Sequence, residues 1–259
     1  MKKALVLGAA LAATAATASA GVRIESITRD IKTQAVQGSP HVVEVQGGAL
    51  RASTDQGGLL LKDGVITFID DKRKTFTEMD KARMQAMASK ANAAMAQMQE
   101  RMKNMPPEQR AQMEKMMGGM MPGGAGKAPV FTAKDTGKTD TVEGRKCRTW
   151  HLLKDGQIAE EMCVVPFSSL PGKEDMQKSF KEMSEAFAGF AAAVPGAQEQ
   201  AKVRMSIDGY PVRSRPYLNG QLFGSENIMK SWTEVNIPAA TFTVPAGYKK
   251  RDLPQMGAQ

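Results

Sequence analysis

Histidine and cysteine are scarce in this chain of 259 residues, which contains two of each. His41 and His151 stand alone in strand-like segments, where a histidine is more often a structural residue than a ligand or a base. The patterns G-x-S-x-G and H-E-x-x-H are missing, and no Cys-His or Ser-His pair has a recognisable catalytic context. We therefore expect a protein that is not an enzyme and that uses no cofactor.

Aromatic residues and long apolar runs are also few. Aromatic side chains make up 5% of the chain, and no run of basic residues alternates with them, so nucleic acid is not an expected partner. No segment after Gly21 approaches the ~18 apolar residues that cross a bilayer, which excludes a later transmembrane helix. The net charge of +8 implies at most a mild attraction to an anionic membrane surface.

The first 20 residues have the three-part layout of a secretory signal peptide. Lys2 and Lys3 precede a short alanine-rich apolar stretch, and the small residues Ala18-Ser19-Ala20 form a cleavage site before Gly21. We expect cleavage after Ala20 and a periplasmic protein. Residues 21–259 could form one large domain or two small ones, and the length alone does not choose between them.

The two cysteines of an exported protein indicate one disulfide. Cys147 and Cys163 lie symmetrically about Asp155 in KCRTWHLLKDGQIAEEMC. A three-residue turn over Lys154, Asp155 and Gly156 would close a hairpin in which the cysteines face each other directly, within disulfide reach. A redox-active pair is the alternative, but the spacing is not C-x-x-C.

Strand-like segments lie on both sides of a helical region. Residues 21–78 alternate and contain a second Lys-Asp-Gly turn, which we place between Leu61 and Val65, so an antiparallel meander is predicted. Strands return over about 130–165 and again from about residue 202, where Asn219-Gly220 is a hairpin signal. The predicted fold class is α+β with a mainly antiparallel sheet.

Methionine is concentrated between these strands, at 11 of the 38 positions 84–121. Spacings of three and four residues predict a helix that begins after Asp80 and ends before Pro106-Pro107, and a second methionine-rich helix after it. A third helix is predicted over 173–194 by the same spacing. The apolar stripes comprise Met84, Met87, Ala91, Met95, Met98, Met102 and Met105; Met113, Met116, Met117 and Met120; and Met176, Phe180, Met183, Phe187 and Phe190.

Several segments together resemble a bacterial family of domains of unknown function, number 4412. They are KDGVITFIDDKRKTF, NMPPEQRAQMEKMM, VEGRKCRTWHLLKDG, DGYPVRSR and FTVPAGYKK, spread over most of residues 21–259. Members of the family are similar to the LolA/LppX-like superfamily of periplasmic lipoprotein carriers. The resemblance implies a single domain over residues 21–259, with a methionine-rich helical insertion at about 80–121. Its fold would be a curved, incomplete antiparallel β-barrel whose concave side is covered by helices and holds acyl chains.

Three hypotheses follow for the methionine stripes. Flexible methionines suit a lid over a hydrophobic ligand, such as a lipid, a lipoprotein acyl chain or an apolar peptide. Thioethers also suit Cu(I), and residues such as Met95 and Met98 are neighbours on a helix. The stripes could instead belong to an ordinary core, or to a module of the RseB stress-sensor kind that binds an envelope protein. The candidate lining residues are Met84, Met87, Met95, Met98, Met102, Met113, Met116, Met117, Phe180, Met183 and Phe187.

Overall fold

A computed structural model describes residues 20–104, 106, 109, 129–193 and 196–252. Within its helices, the side chains of residues 91, 95, 98, 99, 102, 103 and 188–193 are outside that description. The predicted signal peptide is outside it except for Ala20. The predicted second methionine helix is outside it except for single positions such as Gln109.

Thirteen strands and three α-helices account for most of the described residues. The helices are α1 (Lys81–Lys103), α2 (Lys173–Ala193) and α3 (Ala197–Met205), with 3₁₀ turns at Phe167–Ser169 and Ala239–Phe242. The strands are β1 (Gly21–Asp30), β2 (Val36–Gln46), β3 (Ala49–Thr54), β4 (Gly57–Lys62), β5 (Val65–Asp70), β6 (Thr75–Met79), β7 (Phe131–Val142), β8 (Arg145–Lys154), β9 (Gln157–Val165), β10 (Tyr210–Leu218), β11 (Gln221–Leu222), β12 (Ser225–Val235) and β13 (Lys249–Lys250).

The strands form one sheet in the order β13-β6-β5-β4-β3-β2-β1-β12-β10-β9-β8-β7, with β11 paired to β10 beside this path. Every pairing is antiparallel except that of β13 with β6. The sheet is not closed, because β13 and β7 lie at its opposite ends. The predicted α+β class, the antiparallel sheet and the meander β1–β6 are confirmed.

The two Lys-Asp-Gly turns are shorter than predicted. Lys62 pairs with Val65 and Lys154 pairs with Gln157, so each loop has only the two residues Asp-Gly. All four loop residues have positive φ, from 51° to 80°. Two positive φ values give the backbone twist that fits a two-residue hairpin, and Asp-Gly adopts them readily. The prediction that Leu61 and Val65 flank the first turn is therefore wrong.

Two of the helices begin where the sequence predicts. The Asp80 carboxylate accepts the backbone N–H of Arg83 at 2.7 Å and caps α1, and α2 matches the predicted third helix. Helix α3 was not predicted, since residues from about 202 onward were assigned to strand. None of its side chains is buried, so its sequence carries no apolar stripe that would reveal a helix.

One apolar cluster, the central core, covers what we call the inner face of the sheet. Helix α2 packs against β1 and β2 there, and α1 packs against α2 and β6. Both helices contribute to the cluster through Met84, Met176 and Ala186. Its other buried members are Val22, Ile24, Val45, Leu50, Leu61, Ile66, Met79, Val142, Cys147, Cys163, Val165, Leu170, Val212, Ile228, Met229 and Trp232.

The opposite, outer face carries two smaller clusters. At β7–β9, Leu152, Met162 and Val164 pack with Val203 and Ile207 from α3 and the residues that follow it. At β3–β6, Leu60 and Ile69 pack with Ile237 and Phe242 from the C-terminal segment. Because neighbouring strand residues point to opposite faces, Leu60 and Leu61 serve different clusters. The sheet is thus covered on both faces, and the unpredicted α3 lies on the outer one.

Candidate functional site

The interface between the inner face and the α1–α2 pair is the candidate site, because the described candidate lining residues meet there. Met84 is only 1% exposed. Met87, Phe180, Met183 and Phe187 are half-buried and pack against the central core. Met84 and Met87, at the start of the predicted stripe on α1, and the described residues of the stripe on α2 therefore converge on one apolar region of the sheet.

The remaining candidates have no described side chains. Met95, Met98 and Met102 lie on α1, but their side chains are outside the description, and Met113, Met116 and Met117 are outside the described residues altogether. From Ser89 to Asn104, every side chain that the structure does describe is exposed. The copper hypothesis depends on these methionines and stays a prediction.

Three aromatic rings meet between α2 and the sheet, those of Phe180 on α2, Tyr210 on β10 and Trp232 on β12. The rings of Phe180 and Tyr210 are stacked at 6.3 Å, and Tyr210 meets Trp232 edge to face at 5.0 Å. The Trp232 indole N–H donates to the carbonyl of Pro171 at 2.8 Å, which ties β12 to the start of α2. Burial alone raises the pKa of Tyr210 to about 12. This part of the site is apolar enough to disfavour a charged phenolate strongly.

One polar side chain lies on the buried line of α2. Ser179 is fully buried, three residues after Met176 and seven before Ala186, and its Oγ has no hydrogen-bond partner. The sequence analysis missed Ser179 because it searched the stripe for apolar residues. The signal was present, since a serine at position 179 falls between Met176 and Met183 on the same helix face.

The predicted disulfide between Cys147 and Cys163 is present and lies in the central core. The prediction that the two cysteines face each other directly is wrong, because Cys163 pairs with Thr149. The two-residue turn moves the register by one position, and Ala159 is an extra residue that moves it by another. The bond is therefore diagonal across the hairpin, over a Cα–Cα distance of 5.3 Å.

Charged residues continue the inner face beyond the apolar region, across β1, β12, β10, β9 and β7. Arg213 pairs with both Cys163 and Ile228 of the central core, which places it on the inner face. The charged cluster has three guanidiniums and three carboxylates, so its charges balance, and each member has an oppositely charged partner. It consists of Arg29, Asp140, Glu161, Arg213, Arg215 and Glu226.

Hydrogen bonds set the ionisation of two of these acids. Burial disfavours the Glu226 carboxylate, yet hydrogen bonds from Arg215 and Arg29 outweigh it and hold the pKa of Glu226 below its usual value. The backbone N–H of Thr141, followed by Arg213, lowers the pKa of Asp140. Both acids stay ionised and paired at neutral pH, as in a structural ion-pair network.

The histidines have local partners. His41 Nε2 lies 3.2 Å from the hydroxyl of Thr28, and His151 Nε2 lies 3.7 Å from the carboxylate of Glu161. In both cases the partner is on a neighbouring strand. Contacts of this kind across a sheet fit the structural role predicted for both residues.

A cleft of about 530 Å³ opens at the end of the sheet, between the β2–β3 turn, the β4–β5 turn, α2 and the C-terminal segment. Its charged lining residues are Lys62, Asp63, Lys178 and Glu182, and buried Ile237 and Phe242 supply apolar surface. Its lining residues include none of the eleven candidates. The mixed polar character of this cleft does not match an acyl chain.

In the described part of the chain, no helix is both long enough and apolar enough to cross a bilayer. No family model and no curated protein matches the chain. A crystal structure of an uncharacterized conserved protein from Thermus thermophilus is similar over 91% of each chain, with 6% sequence identity and a TM-score of 0.43. Similarity at this level defines neither a family nor a function.

Proposed function

We propose that this protein is a periplasmic, non-enzymatic protein that binds or carries a hydrophobic ligand, such as a lipid, a lipoprotein acyl chain or an apolar peptide. The ligand lies between the inner face of the sheet and the α1–α2 pair. The observation that supports the proposal is the composition of that interface. Besides the fully buried Met84 and Met176, the helices contact the central core through methionine and phenylalanine side chains that are only half-buried.

Methionine contacts make the pair easy to displace. Burying one methionine stabilises by about 1.5 to 3 kcal/mol, while ordering its side chain costs up to about 2 kcal/mol. Met87 and Met183 are only half-buried, so their net contribution is smaller still. A helix pair held in this way can move aside for an apolar chain and repack on it, as flexible methionine surfaces do.

The proposed scaffold is a curved, incomplete barrel of the LolA-like kind, in line with the resemblance to the family of unknown function number 4412. Twelve strands at ~4.8 Å would span about 50 Å if the sheet were flat, far more than two helices of about 10 Å each can cover. Yet the central core includes Ile66 and Met79 near one end and Val142 and Cys147 near the other. Curvature of the sheet around the helices would bring these residues within reach of one core.

The disulfide supports the proposed location. Disulfides persist in oxidising compartments such as the bacterial periplasm and are rare in the cytosol. The Cys147–Cys163 bond is buried in the central core, so it is part of the packing that the helices complete. This agrees with export by the predicted signal peptide.

Native mass spectrometry of the protein purified gently from the periplasm tests the proposal. We expect a mass excess in the range of an acyl lipid. Binding of an apolar fluorescent probe should weaken at least about fivefold in Met87→Gln and Met183→Gln, because each places an amide where the ligand needs apolar contact. Met205→Gln is the matched control, since Met205 is 56% exposed on α3.

Four results would contradict the proposal. A bare polypeptide mass with no probe binding would show that the protein binds no hydrophobic ligand. A copper-sized mass excess would favour the Cu(I) hypothesis. Equal loss of binding in Met205→Gln and Met183→Gln would show that the probe reports general surface polarity. Co-purification of one envelope protein with a ligand-free chain would favour the interaction module instead.

A further inference from the structure

Ser179 is an exception in the line of α2 that faces the sheet. Met176 and Ser179 are both fully buried there and Ala186 is nearly so, but only Ser179 carries a polar group. Serine in a helix often donates back to a carbonyl one turn earlier, and this hydroxyl has no such partner. A buried hydroxyl without a partner destabilises the protein, so its position calls for an explanation.

The residues on either side of Ser179 along the buried line of α2, Met176 and Met183, are apolar and belong to or pack against the central core. The next residue on α2 is Phe180, whose ring stacks on Tyr210. The buried charged residues of the described chain lie elsewhere: Arg51 follows Leu50 on β3 and therefore points to the outer face, Glu160 pairs with Arg204, and Glu226 pairs with Arg29 and Arg215. No ionised side chain among the described residues makes a hydrogen bond to the Ser179 hydroxyl.

We propose that the Ser179 hydroxyl donates a hydrogen bond to the neutral carbonyl oxygen of an acyl ester or amide, and so fixes the polar end of the ligand under α2. This inference rests on the proposed function and narrows its ligand class. One hydroxyl can satisfy one carbonyl lone pair, but it cannot offset the burial of a carboxylate. Esters and amides are therefore selected over ionised fatty acids and over pure hydrocarbons.

Two pyrene-labelled probes of equal chain length test the inference, one ending in a methyl ester and one ending in a methyl group. Their affinities are measured for the wild-type protein, for Ser179→Ala, and for Ser184→Ala. Ser184 is only half-buried on the same helix, so it controls for the substitution itself. We expect Ser179→Ala to weaken binding of the ester about five- to tenfold and to leave the alkyl probe unchanged.

The outcomes separate the two proposals. If neither probe binds the wild-type protein, the proposed function fails and this inference fails with it. If both probes bind and Ser179→Ala affects them equally, or affects neither, a hydrophobic ligand site stands but the role of Ser179 is overturned. Weaker ester binding in Ser184→Ala as well as in Ser179→Ala would also overturn it.

The stability of the ligand-free protein gives an independent reading. Removing an unsatisfied buried hydroxyl should raise the Tm of Ser179→Ala by about 2 to 4 °C, while Ser184→Ala changes little. A fall in the Tm of Ser179→Ala would mean that the hydroxyl has a partner inside the folded protein. It would then be a structural group, and the inference would be wrong.

Discussion

Arg29 and Arg215 donate to opposite oxygens of a single carboxylate, that of Glu226, each from its Nε at 2.8 Å. Glu226 lies on β12, and the two arginines lie on β1 and β10, the strands on either side. The carboxylate is 2% exposed. This bridge ties the strands at the point where the N-terminal meander meets the C-terminal part of the sheet.

Replacing Glu226 by glutamine should destabilise the protein by about 3 kcal/mol, because this buried carboxylate is the charged partner of Arg29 and one of the two charged partners of Arg215. Urea denaturation of the variant measures the loss. Arg73→Gln is the control, since the Arg73–Asp70 pair is exposed and should contribute little to stability. Similar small losses in both variants would contradict a strong buried bridge.

The same carboxylate should make the protein sensitive to acid. The pKa of Glu226 is lowered in the folded state from its usual value of 4.5, so its stabilising effect is complete above that value and is lost as the pH falls through the folded-state pKa. The slope of unfolding free energy against pH below about 4.5 should therefore be smaller in Glu226→Gln than in the wild type. An unchanged slope would assign the acid sensitivity to other carboxylates.

Tyr210 should limit stability in alkali. Burial raises its pKa from 10.0 to about 12, so the folded protein holds this proton where the unfolded chain releases it. Stability is complete below pH 10.0 and falls as the pH rises towards about 12. Ultraviolet titration of tyrosinate should show a step near pH 12 that is missing in Tyr210→Phe, whose stability should fall less steeply. A step of unchanged size in the variant would show that another tyrosine is responsible.

Gly172, just before α2, should not tolerate alanine. It has a φ of +62°, and a Cβ there would lie 2.1 Å from Cγ2 of the fully buried Val22. Gly64→Ala is the matched control, because Gly64 has a φ of +73° and open space. Thermal unfolding should show a loss of about 1 kcal/mol for Gly64→Ala and about 2 to 4 kcal/mol for Gly172→Ala. Equal losses would mean that Val22 can move aside.

Breaking the disulfide should cost less than a simple loop of its size predicts. The cysteines are 16 residues apart, for which loop closure gives about 3 kcal/mol, but the hairpin is already closed by its Asp-Gly turn. We expect the reduced wild type to lose about 1 to 2 kcal/mol in urea denaturation. Cys147→Ala/Cys163→Ala, measured with and without reductant, is the control and should not respond. A loss well above 3 kcal/mol would show that the bond holds more than its own hairpin.

The strands and two helices could be predicted because local rules decide them. Asp80 caps α1 by a short-range hydrogen bond, and Asp-Gly and Asn-Gly turns close hairpins wherever alternating strands flank them. The cysteine pairing could be predicted because the chain has only two cysteines and its predicted compartment is oxidising. The diagonal position of the disulfide could not be predicted, because the extra residue Ala159 shifts the strand register and the hydrophobic pattern does not show it.

The candidate site was predictable only in its apolar part. The spacing of Met84, Met183 and Phe187 along their helices predicted that they share the apolar helix faces, and all three contact the central core. Ser179 lies on the same helix face, but its lack of a hydrogen-bond partner is visible only in the structure. The Glu226 bridge depends on neighbours far away in the sequence, such as Arg29, which is 197 residues from Glu226. Helix α3 packs against β7, and its own sequence has no apolar pattern that would predict this contact.

Among the described strands, one pairing is parallel, that of Lys249 and Lys250 with Thr75 and Phe76. An uncovered edge strand offers free N–H and C=O groups on which a strand of another molecule can grow. Here the tail takes up β6 groups, with Arg251 donating to Phe76, and it places lysines at the rim. Residues 249–251 therefore occupy part of the β6 edge that would otherwise be open to a strand of another molecule.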